Sequence, residues 1–317
     1  MRAAQKGDLK ISDGPNYIKE TTKFIETFDQ WIKCGQKLYE FGYELTYELV
    51  RTEIQQVAGI DLNTPMPSFY LTFDMDPPYI LPDGLILDGI LVLISESKSA
   101  SSTKKIDLIF MSRPGKYEIA KPTISVSITA LNDRSNIKSI FNNTINSFDQ
   151  KFDKEQNTDI QDSNLEVDEA IRDISERTQH RRTILSELYQ LIVGSILFLS
   201  TYHEKGKEGW SPNTPAIFVS KLSGRKQESA KATKWLADRG WSRSTFFNIS
   251  PPLAGRTEVR PGDQVATYWR SGHWRRVAVG PNRCERRLTW IRPMLINANK
   301  GPIESKTLII SVNRGLV

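Results

Sequence analysis

The sequence predicts an α+β protein with a helical N-terminus, an antiparallel sheet, one long buried helix and a basic, β-rich C-terminal end. Three observations predict it. Apolar residues recur at helical spacing near the start and again from 165 to 202. Short alternating runs broken by Pro, Gly and Asp fill the region between residues 68 and 129. Arginine and tryptophan interleave on short strand-like runs near the end.

The first helical stretch runs from Ile18 to Val57. Phe24, Ile25, Phe28 and Ile32 form one apolar set, and Leu38, Phe41, Leu45 and Leu49 form a second. Gly35 falls between them and marks a kink or break. Asn63-Thr64-Pro65-Met66-Pro67 ends the helical part, because the prolines oppose a helix. Strands are expected at Ser68–Phe73, Leu85–Ile94, Ile106–Met111 and Thr123–Thr129, as a meander. Asp88-Gly89, inside the second of these, signals a bulge or a hairpin turn.

Asn132 to Asn164 is rich in Asn, Asp and Gln and reads as a solvated, mobile insertion. Residues 149 to 176 are acidic, although Lys151, Lys154, Arg172 and Arg177 dilute any mimicry of nucleic acid. Leu165 to Tyr202 reads as one long helix whose second half, Ile184 to Leu199, is apolar nearly all round and therefore buried. Ala216 to Leu222 reads as a strand, and Gln227 to Asp238 as a short helix stopped at Gly240. Pro251-Pro252 and Gly255 form a hinge, which divides the chain into a core at 1–250 and a basic module at 251–317. In that module, Gln264–Arg270, Trp274–Val279 and Arg286–Ile291 read as strands. Leu308–Val312 is a candidate fourth, and a small curled, barrel-like sheet follows.

Composition narrows the functional classes. A chain of 317 residues with 38% hydrophobic and 25% charged residues suits one large or two ordinary globular domains. The net charge of +6 is concentrated at the C-terminal end, which suggests an acidic partner there. Cys34 and Cys284 are the only cysteines, as expected in a reducing cytosol. The histidines His180, His203 and His273 have no zinc-like spacing, and no metal or other cofactor is expected. The first residues lack the apolar run of a secretory signal. Leu188–Leu199 is shorter than the roughly 20 residues a bilayer demands. These features lead to the expectation of a cytoplasmic protein with no membrane partner.

The candidate site is the basic end. Trp269, Arg270, His273, Trp274, Arg275, Arg276, Arg286, Arg287, Trp290 and Arg292 cluster within a short span, opposed only by Asp263 and Glu285. Guanidinium groups are planar, permanently charged and stack on aromatic faces, so this end suits RNA or an acidic protein surface. The competing role for Trp274 and Trp290 is core packing, with the arginines as a solvated face. His273 has no recognisable catalytic partner and reads as structural.

One enzymatic pattern competes. Pro82-Asp83, followed by Glu96-Ser97-Lys98, resembles a metal-dependent nuclease signature in which Asp83 and Glu96 would hold Mg²⁺ and Lys98 would position water. Its context is poor, since the second half falls in a serine-rich loop. There is no Ser-His-Asp arrangement, phosphate loop or CxxC pair in the sequence, and a binding protein rather than an enzyme is expected.

Gly272-His273-Trp274, the turn, and the strand leading to Trp290 and Pro293 resemble the ending of an anti-CRISPR family. That family inhibits type V-A CRISPR systems by blocking production of the effector nuclease. The resemblance implies recognition of the effector's nascent N-terminal peptide at the ribosome, followed by loss of the encoding mRNA. Gly272, His273, Trp274, Trp290 and Pro293 match the family's closing motif. The partners implied are a nascent polypeptide and the ribosome or mRNA, in the cytoplasm of a bacterial host. An apolar groove between the N-terminal helices and the sheet is the expected peptide site. A general RNA-binding module of a mobile element is the alternative.

Overall fold

The computed structural model describes residues 15–54, 57–64, 66–76, 78–81, 85–96, 104–113, 122–131, 136–144, 146–147, 167–210, 214–239, 241, 243–249 and 268–296. The class is α+β, as the sequence predicts. The first helix, α1, ends sooner than the apolar periodicity suggests, at Pro15–Lys33. Gly35 and Gln36 take left-handed backbone angles, with φ of 80° and 54°, and turn the chain. The Trp31 indole N–H clamps that turn by donating to the Lys37 carbonyl at 2.8 Å. The next four residues, Leu38–Phe41, form strand β1 rather than more helix. Alternation of Tyr39 and Phe41 with Leu38 and Glu40 fits a pleat, and only then does α2 (Tyr43–Val50) begin. The two-residue strand β2 (Thr52–Glu53) follows it directly.

Strands β3 (Ser68–Phe73), β4 (Leu87–Glu96), β5 (Lys104–Ser112) and β6 (Pro122–Leu131) form the expected antiparallel meander. The β4–β5 register shifts between Leu87 and Gly89, so the Asp88-Gly89 pair is a bulge. The whole sheet is nevertheless mixed. Its order is β6-β5-β4-β3-β1-β8-β7, with β7 at Lys207–Trp210 and β8 at Arg243–Phe247. β1 lies parallel to both β3 and β8, which corrects the purely antiparallel expectation.

Both faces of the central strands are covered, which explains why β4 reads as a continuous apolar run. On one face, Trp31, Phe24 and Phe28 of α1 pack against Leu91, Ile109, Tyr70 and Met111. Lys23 of α1 adds an ion pair to the buried Asp107 at 3.1 Å. The other face meets α4 (Val167–Tyr202), whose residues from Ile184 to Leu199 lie in the main core. Residues 182–205 are apolar enough and long enough to cross a membrane by composition, but 72% of that window is buried inside the fold. Gln190, the polar interruption, donates to the carbonyls of Val50 and Thr52 at 2.9 and 2.6 Å. It thereby ties α4 to the end of α2 and to β2.

Three further expectations are corrected. Within the polar insertion, 137–144 is a helix, α3, and its Ile137 and Phe141 belong to the core. Apolar residues at that spacing are enough to dock one helical turn-pair despite polar surroundings. Ala216–Leu222 is a helix, α5, not a strand; α6 (Lys226–Asp238) follows it as predicted. The basic end forms no barrel among the described residues. β9 (Tyr268–Arg270) pairs with β12 (Met294–Ile296), while β10 (Gly272–Val279) and β11 (Glu285–Ile291) form a ribbon whose other neighbour is β2. The candidate hinge at Pro251, Pro252 and Gly255, residues 264–267 of the first basic strand, Gly240, the strand at 308–312 and residues 148–166 of the acidic stretch lie outside the described residues.

Leu197 is fully buried on α4, whereas Ile217 on α5 is 62% exposed. Leu197→Ala is expected to cost about 2–5 kcal/mol in urea unfolding. Ile217→Ala is expected to stay within about 0.5 kcal/mol of the parent.

Candidate functional site: a basic ribbon locked to the core

The ribbon alternates faces along each strand, so the neighbours Arg275 and Arg276 take opposite roles. Trp274 pairs with Trp290 across the two strands, their rings stacked at 6.2 Å. Both are buried, at 2% and 8% exposure, and both belong to the main core with Phe198 of α4. They offer no stacking face to a partner. The core role that competed in the sequence describes them, because both side chains point toward α4 and β2.

A chain of hydrogen bonds holds Trp290 there. The Trp290 indole donates to Thr52 Oγ1 at 2.9 Å, and that hydroxyl donates to the Glu48 carbonyl at 2.8 Å. The Trp290 backbone N–H donates to the Tyr202 hydroxyl at 3.2 Å. Arg292 is also engaged. Its Nε and Nη2 donate to the two carboxylate oxygens of Glu48 at 2.7 and 2.5 Å. Those hydrogen bonds raise the Arg292 pKa above the usual guanidinium value, against the opposing effect of burial. Glu48 is a carboxylate on an otherwise apolar helix face, 1% exposed, and Arg292 neutralises it with a planar, two-pronged fit.

Gly272 is explained by the same lock. Its N–H donates to the Arg51 carbonyl at 3.0 Å, and β10 runs parallel to β2 from Gly272 opposite Thr52. A side chain at this position would come within 2.7 Å of both the Pro293 ring and Thr52 Oγ1. The Gly272, Trp274, Trp290 and Pro293 pattern is therefore a packing pattern. His273 is half-buried beside it, in register with Glu53 and Ile291.

The remaining arginines divide further. Arg276 donates to Asp61 at 2.7 Å, and Asp61 accepts from the Ala58 backbone N–H at 3.0 Å. Arg270, Arg275, Arg286 and Arg287 are exposed. Arg275 stands opposite Thr289, and Arg287 opposite Val277, so both lie on the face away from the tryptophans. Arg286 and Arg287 also line a cleft of about 720 Å³ at the foot of the ribbon, together with Asp61, His203, Glu204 and Glu285. The side chain of Trp269 lies outside the described residues; its backbone pairs with Leu295. Among the described residues no group of three or more His, Cys, Asp or Glu is arranged to hold a metal ion. Asp83 and Lys98 of the nuclease-like pattern lie outside them, and Glu96 stands exposed at the end of β4. The space expected to form a groove between α1 and the sheet is filled by Phe24, Phe28 and Trp31.

Reading the sequence missed Glu48, Thr52, Asp61 and Gln190. A signal existed for the first: Glu48 sits between Leu45 and Leu49 on the buried side of α2, where an unpaired charge would be costly.

An α+β core that carries an arginine-rich ribbon is the class these elements define. The model of the AcrVA2-like family, the anti-CRISPR type V subtype A2 family, matches residues 39–298, from β1 through the end of the ribbon. The chain belongs to that family and is an anti-CRISPR protein. No curated protein matches it. A solved structure reported as the crystal structure of AcrVA2 is similar over 86% of this chain and 75% of that chain, at 10% identity and a TM-score of 0.38.

Removing Arg292 strips the buried Glu48 of its two-pronged partner. Arg292→Ala is expected to cost about 2–3 kcal/mol in urea unfolding, below the roughly 3–5 kcal/mol of fully buried pairs because 35% of the Arg292 side chain meets solvent. Replacing both partners, as Glu48→Leu with Arg292→Met, should recover most of that loss.

Proposed function

We propose that this anti-CRISPR protein binds the nascent N-terminal peptide of a type V-A effector nuclease and causes translation-coupled loss of its mRNA. It does so in the bacterial cytoplasm, as a binding protein with no catalytic step of its own. The observation that supports this reading best is the set of exposed arginines: Arg275, Arg286 and Arg287 on a ribbon that is fixed to the core, and Arg270 on β9 just before it. Arg276 and Arg292 already have carboxylate partners, so they neutralise the fold and not a ligand. Arg275 and Arg287 stand diagonal to one another across the strands, where like charges repel. Ribosomal or messenger RNA would relieve that repulsion. The cleft at the foot of the ribbon is then the place for the peptide, next to the RNA-facing arginines.

Two experiments test this reading. The first is a pull-down from an extract translating the effector message, with and without its first codons. Ribosomes carrying that message should be enriched only when those codons are present. Enrichment regardless of the codons would favour a general RNA-binding module, and Mg²⁺-dependent cleavage of naked RNA would favour the nuclease alternative. The second uses the surface variant Arg275→Gln with Arg286→Gln and Arg287→Gln. It should fold normally, lose ribosome association and lose about 3 units of salt slope. Unchanged association in that variant would exclude the ribbon as the docking face.

A further inference from the structure

A second basic surface lies far from the ribbon in sequence. β7 and β8 pair antiparallel at one edge of the large sheet, and the chain between them forms a helical hairpin, α5 and α6. A three-residue turn, Ser223-Gly224-Arg225, joins the helices. Each helix makes its most extensive contact with the other. Phe218 stacks on Trp235 at 3.6 Å, and the Arg239 guanidinium lies over Trp235, 3.9 Å from its ring centroid. The hairpin is thus a preformed unit, its two helices packed on each other.

Its charge is one-sided. Lys221, Arg225, Lys226, Lys231, Lys234 and Arg239 stand against only Glu228 and Asp238. All six cations are exposed, and none forms an ion pair with a carboxylate among the described residues. Some other surface cations are paired: Lys33 with Asp29, Arg243 with Glu208 and Arg276 with Asp61. On α6, Ala232 and Leu236 face inward. At 3.6 residues per turn, Gln227, Ala230, Lys231 and Lys234 fall on the opposite side, with Asp238 at its C-terminal end as the one acidic residue there and Lys226 and Ala237 flanking them. Small alanines between lysines let a partner's surface come close to the helix. From Lys226 to Lys234 the axis advances about 12 Å, and the helix with its side chains is about 10–12 Å wide.

We infer that the α5–α6 hairpin docks on double-stranded DNA, with α6 in the major groove and its lysines on the flanking phosphates. The layout is that of two helices joined by a short glycine-containing turn, with the lysine-bearing face of the second exposed. The B-form major groove, about 12 Å wide, admits such a helix. The deep, narrow groove of A-form RNA does not, so duplex RNA is the poorer ligand. Unpaired lysines on one helix release condensed counterions when they meet phosphate, which supplies the affinity. This surface shares no residue with the arginine ribbon, so it stands or falls apart from the function proposed above.

The test is fluorescence anisotropy on the full chain, with a short labelled DNA duplex, the same duplex as RNA, and single-stranded DNA. The variant is Lys226→Gln with Lys231→Gln and Lys234→Gln, since glutamine keeps helix propensity while removing charge. The parent should prefer duplex DNA, and the lysine variant should bind it about tenfold or more weakly, with a salt slope smaller by about 3. The ribbon variant should bind DNA as the parent does, and equal helical circular dichroism shows that each variant is folded. DNA binding that survives the lysine changes, that vanishes only in the ribbon variant, or that is matched by duplex RNA would overturn the inference.

Discussion

Glu48 is the constraint around which the C-terminal end is arranged. A carboxylate on the buried face of α2 is costly without a partner of matching geometry, and Arg292 approaches from the far end of the chain to supply it. The approach brings Pro293 and Gly272 against Thr52, places Trp290 on the Thr52 hydroxyl and stacks Trp274 on Trp290. Thr52 in turn donates to the Glu48 carbonyl, and Gln190 from α4 caps the same segment through the carbonyls of Val50 and Thr52. The α2–β2 segment, the long helix and the ribbon therefore meet at residues 48–53. A buried ion pair is a weak source of net stability, but removing one partner is costly, so such a pair specifies one arrangement more than it strengthens it.

The surface electrostatics follow from that arrangement. Arginine charge at the C-terminal end is divided between cations used by the fold and cations left to solvent. Arg276 and Arg292 are held by Asp61 and Glu48, whereas Arg275, Arg286 and Arg287 project from a ribbon that cannot swing away from the core. A rigid presentation lowers the entropy lost on binding, which is the advantage of mounting a basic patch on paired strands rather than on a tail. The helical hairpin between β7 and β8 uses the same device, with the Phe218–Trp235 stack taking the place of the tryptophan pair.

Much of the fold follows from periodicity. The buried half of α4, the α6 helix, the bulge at Asp88-Gly89 and the meander from β3 to β6 all carry local signals strong enough to survive tertiary packing. Failures occurred where two elements share one pattern. Leu38, Phe41, Leu45 and Leu49 fit a helix by spacing, yet the first two sit on β1 and only the others on α2, because Gly42 separates them. A run of β-branched and aromatic residues in Ala216–Leu222 reads as a strand, but the Phe218 contact with Trp235 favours a helix there. At the site, residue types identified the basic character, while the partition of individual arginines depended on long-range partners. Asp61 lies 215 residues from Arg276 and Glu48 lies 244 from Arg292, distances over which no local pattern reports.

The measurement that tests the lock most directly is hydrogen exchange of the ribbon amides, followed by mass spectrometry, in the parent and in Glu48→Gln. If residues 48–53 fix the ribbon, amides in 272–279 and 285–291 exchange in the parent as slowly as those of α4. In Glu48→Gln they exchange faster, while β3 to β5 remain protected. Fast exchange of the ribbon in the parent, or an unchanged ribbon in the variant, would contradict the account.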